Sequence, residues 1–379
     1  MNIQLFKYLE TNTMQPTVTN LETLQSQVID LLRFPLIVGV VLVHVSFSET
    51  IIPGVKIDES SFPIYYICSQ LFSDVLGRVP VPLFFIISGL LFFRNMDFNK
   101  QNYVKKLHNR VHTLMVPYLF WNITALMFLL LIHRTPALDA FLIEDIEISP
   151  LYIVQSLWGR VMEDGMAAAP ISGQFWFVRD LMLLVILTPI VYTFIKKLGR
   201  YLVAFLGLLW MFDCWFVYPY PCVRAVFFFT LGAWFGINKR NLVVEAEKVK
   251  YYAFVLYPIL VIADLLTKGG EANLFIHRVG VLCGIPFWLN VGLSSMRTMV
   301  IATAKYEAVK AASVLGFSHI NKSFWTALRS KGSWIANIKK DAIERYLLGR
   351  ITIVLIGLGS YYVLRKISPS FTNFITGGR

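Results

Sequence analysis

Arg33 and His44 bracket the run R-F-P-L-I-V-G-V-V-L-V-H, in which every intervening residue is apolar. A helix turns about 100° per residue, so eleven steps come within about 20° of three full turns, and the two positions share one face about 16 Å apart. Polar groups are costly in hydrocarbon, so an imidazole in such a run is a functional candidate by default. An ordinary pKa of about 6.5 suits it to moving a proton near neutral pH. The alternative is a structural histidine hydrogen-bonded to a neighbouring helix, and spacing alone leaves both open. Arg33 reads either as part of the same chemistry or as a positive anchor at the helix end. Pro35 is expected in the first helical turn, where its missing N–H costs no helical bond.

Further candidates follow along the chain. Ser88-Gly89 is a small pair inside an aromatic segment, where it lets another helix come close. Lys106 and Arg110 stand one turn apart and form a cationic shelf suited to phosphates, whether of a substrate or of lipid headgroups. Trp176 reads as an interfacial belt residue or a substrate contact. Arg179 and Asp180 lie about a turn inside their segment, where charge needs a partner, on another helix or on a substrate. Asp213, Arg224, Asp264, His277 and Arg278 fall mostly near helix ends and read as anchors or rim residues.

The elements that must position these groups are membrane helices. Of 379 residues, 56% are hydrophobic and 15% charged, against about 25% charged in a soluble domain. The apolar residues come in blocks of the length that crosses a bilayer, about 20 residues. We read segments at about 33–48, 79–94, 114–133, 175–195, 201–217, 222–238, 251–267, 274–294 and 350–365, with a weak one at 298–317. The fold class is all-α and polytopic, with about ten transmembrane helices: a cytoplasmic segment over 1–30, then one membrane domain over 31–379. The net charge of +12 sits between the apolar blocks and follows the positive-inside rule rather than marking a nucleic-acid partner. Basic loops after the second, fourth and sixth segments place the amino terminus inside, and acidic stretches at 49–74 and 134–174 belong outside. Cys68, Cys214, Cys222 and Cys283 show no zinc or redox spacing, and no metal is expected.

Taken in order, these blocks resemble the acyltransferase-3 family of bacterial membrane acyltransferases. The matching elements are Arg33-x10-His44, Pro82-Leu-Phe-Phe-Ile-Ile-Ser-Gly89, the Lys106/Arg110 helix leading to Pro117-Tyr118, Phe175-Trp-Phe177, and the ending Tyr-Tyr-Val-Leu-Arg-Lys-Ile-Ser-Pro369…Thr-Gly-Gly-Arg379. The match departs over 295–349, where Ser323-Phe-Trp-Thr-Ala-Leu-Arg-Ser-Lys-Gly follows the family pattern only at its start. The resemblance implies a multi-pass protein of the bacterial cytoplasmic membrane that moves an acyl group, commonly acetyl from acetyl-CoA, to a hydroxyl of an exported glycan or lipid-linked sugar. It makes His44 the catalytic histidine and Arg33 part of the same motif. On that reading Arg33, Lys106 and Arg110 hold CoA phosphates at the cytoplasmic surface. Ser88, Trp176, Arg179 and Asp180 are further substrate contacts. His44 takes the acceptor's proton or briefly carries the acyl group. The rivals are a glycolipid or sugar transporter without acyl chemistry, and a structural partner in glycan assembly.

Overall fold

The computed structural model describes residues 18–44, 63–94, 97–133, 149–159, 169–216, 220–314, 359 and 361–377, and among them all regular structure is helical. Helix α1 is Val18–His44. Helix α2, Pro63–Ser69, continues through a π-helical stretch, Gln70–Val75, and a 3-10 turn, Leu76–Arg78. Then come α3 Pro80–Phe93, α4 Lys100–Arg110, a π-helical Val111–Met115, α5 Val116–His133 and α6 Pro150–Trp158. These are followed by α7 Trp176–Ile186, α8 Thr188–Leu198, α9 Arg200–Met211 and α10 Val223–Ile237. The last are α11 Leu242–Lys248, α12 Lys250–Leu266, α13 Asn273–Val314 and α14 Pro369–Thr376.

Four stretches are long and apolar enough to cross a bilayer: Leu21–Val43, Tyr66–Phe93, Lys100–Ile132 and Asn273–Met299. The pairs α7–α8, bent by 66°, and α11–α12, bent by 78°, bring the number to six if each pair counts as one span. Helices α9 and α10 are apolar but shorter, and the expected segment at 350–365 lies in larger part outside the described residues. The outward faces carry Phe128, Leu131, Tyr251, Ile259 and Leu266, all exposed, as suits neighbours of hydrocarbon rather than water. The chain is a multi-pass helical membrane protein.

Three expectations change. Helix α1 begins fifteen residues before Arg33, so Pro35 is interior and the carbonyl of Leu31 loses its helical N–H partner. The apolar run hid this, because the earlier turns are amphipathic: Gln25, Val28, Ile29, Leu32 and Leu36 form the buried stripe at helical spacing. The segment expected at 175–195 is broken at Leu187. Pro189 cannot donate to the Val185 carbonyl, and the Thr188 hydroxyl donates to it instead at 2.7 Å. The weak segment at 298–317 is no separate crossing: residues 298–314 continue α13 without interruption, with no glycine or proline there to stop it.

The chain folds as two compact units, Met1–Val79 with Asn241–Ile353, and Pro80–Arg240 with Val354–Arg379. In the first unit, α1 is tied to α11 at its beginning. Asn241 caps α11 by accepting the N–H groups of Val243 and Val244, each at 3.0 Å, and donates to the Leu21 carbonyl at 2.8 Å. Gln25 accepts the Leu242 N–H at 2.6 Å. Helix α13 is held to the last turn of α11 by Asn290, which donates to the Ala246 carbonyl at 2.8 Å, and by the Arg297–Glu247 ion pair at 2.7 Å.

In the second unit α3 and α10 cross at backbone contact. A Cβ on Gly89 would collide with the Phe229 carbonyl and stand 2.8 Å from the Ala233 nitrogen; one on Gly232 would strike the Ile86 carbonyl; one on Gly236 would lie 2.8 Å from the Leu90 oxygen. Gly232-Ala-Trp-Phe-Gly236 is thus a small-xxx-small face, and Gly89 plays the packing role expected of it.

Candidate active site

The candidate groups divide between the units. Arg33 and His44 belong to the first. Arg33 is exposed and pairs with Asp30 one turn earlier at 2.9 Å. An exposed pair of this kind is weak, so the guanidinium can exchange Asp30 for another anion at little cost. His44 is the final residue of α1, eleven residues or about 16 Å beyond Arg33.

The first unit also holds a polar cluster that sequence reading dispersed among rim residues. Asp264, 2% exposed near the end of α12, lies 2.7 Å from His277 Nδ1 through Oδ2. Its Oδ1 accepts from Asn273 Nδ2 at 2.7 Å and from Lys268 Nζ at 3.0 Å. Asn273 further donates to the backbone carbonyl of Asp264 at 2.8 Å. An ionised carboxylate only accepts, so Nδ1 of His277 carries the hydrogen, which in the neutral ring leaves the lone pair on Nε2. Asp264 and His277 are thirteen residues apart across a turn. No helical or strand period links them, and only the turn at Thr267–Ala272 brings them together.

Lys106, Arg110, Ser88, Trp176, Arg179 and Asp180 belong to the second unit. The Lys106 ammonium donates to the Phe92 carbonyl and lies 5.1 Å over the Phe92 ring. It caps the end of α3, where carbonyls lack N–H partners and a cation is favoured. Arg110, half-buried, lines a cavity of about 430 Å³ with Leu107, Tyr118, Leu157, Trp158 and Met182. Ser88 is half-buried beside the tight Gly89 crossing. Trp176 begins α7 and packs near Phe85, ring centres 6.4 Å apart.

Arg179 and Asp180 pair with each other at the centre of a buried fastening. Arg179 Nε and Nη2 both donate to Asp180 Oδ1 at 3.1 Å, and Nη1 donates to the Trp158 carbonyl at 2.9 Å. The guanidinium lies 3.6 Å from the centre of the Tyr220 ring, a cation–π contact. Asp180 Oδ2 accepts the Cys222 N–H at 2.9 Å. One arginine thus ties α7 to the end of α6 and to the segment that opens α10. The Cys222 thiol is half-buried at the opening of α10. No disulfide joins any of the four cysteines. Nearby, the Tyr118 hydroxyl donates to the Leu157 carbonyl at 2.7 Å, and Asn122 Oδ1 accepts the Ser172 N–H at 3.1 Å.

These features define a polytopic membrane protein with buried polar fastenings and an arginine–histidine helix. Residues 27–310 match the acyltransferase domain of the acyltransferase-3 family, and the chain belongs to that family. It is also similar to the succinoglycan biosynthesis protein ExoH of Rhizobium meliloti (strain 1021), 23% identical over 368 residues that cover 93% of this chain and 92% of the relative. No solved structure matches.

Proposed function

We propose that this protein transfers an acetyl group from cytoplasmic acetyl-CoA to a hydroxyl of an exported polysaccharide or its lipid-linked precursor. It would act in the cytoplasmic membrane of a bacterium, with the amino terminus inside and about ten crossings in all. The observation that carries the reading is that Arg33 and His44 lie eleven residues apart on one continuous helix in a chain of the acyltransferase-3 family. The likeness to a succinoglycan biosynthesis protein supports a polysaccharide as acceptor.

In this reading Arg33 exchanges Asp30 for a phosphate of CoA, gripping two oxygens with its planar fork. An extended pantetheine arm covers the roughly 16 Å to the level of His44. There the imidazole acts on the acyl end of the donor, as base or as acyl carrier. Lys106 is left to its capping role, and Arg179 with Asp180 to the fastening of α7.

Titrating the purified protein and its variants with CoA, beside acetyl-CoA turnover, tests the assignment. Arg33→Ala is expected to bind CoA at least about tenfold more weakly, about 1.4 kcal/mol, and Arg33→Lys to fall between it and wild type. His44→Ala is expected to bind CoA normally and to turn nothing over. Equal CoA affinity in wild type and Arg33→Ala would return Arg33 to a topological anchor. Wild-type protein that neither binds nor consumes acetyl-CoA would favour a carrier without acyl chemistry.

A further inference from the structure

Two independent contacts fix where His277 stands relative to the end of α1 within the first unit. Helices α1 and α13 leave the α11 end in opposite chain directions, because Leu21 and Gln25 meet Asn241 and Leu242 while Asn290 and Arg297 meet Ala246 and Glu247. A Cβ on Gly292 would lie 2.9 Å from the Leu32 side chain, so these two positions are level. His44 is twelve residues beyond Leu32, about 18 Å along the axis. The same step back along α13 from Gly292 reaches Gly280, less than one turn from His277. The second contact agrees. A Cβ on Gly77 would lie 3.3 Å from the Gly39 carbonyl oxygen and 2.7 Å from the Val43 side chain, while one on Gly284 would lie 2.8 Å from the side chain of Val79, two residues beyond Gly77.

The layer so defined holds more than two histidines. The π-helical Gln70–Val75 packs against α1 and α12, and such turns are frequent at functional sites. Its Ser73 is 1% exposed, with a hydroxyl that finds no hydrogen-bond partner among the described residues. Four residues separate Ser73 from Gly77, which sets it about one turn toward the His44 and His277 level. His277 is 20% exposed, so its ring is reachable. The charged and polar groups around it are Asp264 and Lys268 from the α12 side, and Asn273 and Arg278 from α13.

From this layer we infer that His277, held by Asp264, is a second catalytic histidine, the general base that accepts the proton of the acceptor hydroxyl. The inference rests on the acyltransferase reading above. His277 Nε2 takes the hydroxyl proton as the oxygen bonds to the acyl carbon. The bond from that carbon to its carrier, the CoA sulfur or a His44 nitrogen, breaks with its electron pair going to the carrier. The carrier then takes up the proton. Asp264 is a positioning residue: it fixes the tautomer and steadies the imidazolium, as a carboxylate behind a catalytic histidine does. Lys268 and Asn273 keep that carboxylate oriented.

The test follows release of CoA from acetyl-CoA by purified full-length protein, with water and with hydroxylamine as acceptors. Hydroxylamine attacks without a base at neutral pH, whereas water and sugar hydroxyls need one. For His277→Gln we expect the water reaction to fall about 100-fold or more, CoA affinity to stay unchanged, and hydroxylamine to restore turnover to near wild type. His277→Ala should regain the water reaction in added imidazole. A water rate in His277→Gln equal to wild type overturns the proposal. Equal losses with water and hydroxylamine also overturn it, and reduce the Asp264–His277 pair to a staple of the α12–α13 turn. Wild type inert toward acetyl-CoA with both acceptors refutes the donor reading itself.

Discussion

Replacing Arg179 separates a structural arginine from a substrate-binding one. Arg179 is 3% exposed and Asp180 0%. Arg179→Ala removes both donors to Asp180 Oδ1, the bond to the Trp158 carbonyl and the stack on Tyr220. It leaves a buried carboxylate with the Cys222 N–H as its remaining described hydrogen-bond partner. Breaking a buried pair by removing one member costs about 3–5 kcal/mol, because the survivor stays desolvated and unpaired. For a domain of about 200 residues each kcal/mol shifts Tm by about 2–4 °C, so a fall of about 10 °C is expected in detergent thermal scans. Arg179→Met with Asp180→Asn removes both charges and keeps an oxygen for the Cys222 N–H; it should recover at least half of that loss. At a temperature where each variant is folded, CoA affinity should equal wild type. A variant Arg179→Ala with wild-type Tm and weakened donor or acceptor binding would refute the fastening and make Arg179 a substrate contact.

Gly232→Ala sets a methyl against the Ile86 carbonyl and forces α3 and α10 apart; a loss of about 1–3 kcal/mol is expected, read as a lower Tm. Gly173→Ala, whose nearest neighbour is 3.9 Å away, should change nothing. Pro35→Ala restores an N–H to the Leu31 carbonyl in the interior of α1 and should raise Tm, by up to about 3 kcal/mol of stability. Iodoacetamide at pH 8 should modify exposed Cys214 well ahead of half-buried Cys222, and peptide mapping checks the order.

Membrane character, helical class and the Arg33–His44 register were legible in the sequence because each depends on local composition and on the 3.6-residue period. The same holds for Gly89, whose smallness in an apolar helix foretells a close neighbour, although only the structure supplies the partner in Phe229 and Ala233. The start of α1 was not legible from hydropathy, since Gln25, Asp30 and Arg33 interrupt an amphipathic stretch whose buried stripe needs α11 and α13 to exist. Lys106 read as a phosphate-binding cation; that its ammonium caps α3 depends on where the chain turns between Phe93 and Lys100.

Long-range pairing lay with tertiary structure alone. Arg179 meets Trp158 and Tyr220, and Asp264 meets His277, across segments with no shared period, so no spacing in the chain could announce them. Hydropathy reports the free energy of each residue in hydrocarbon, one position at a time. Which buried charge finds which partner is a property of how helices cross and where turns close. By itself the sequence thus determined a multi-pass helical protein with an arginine and a histidine on one face of a helix. The folded chain decided that Arg179 meets Asp180, Trp158 and Tyr220 and that the carboxylate of Asp264 holds His277.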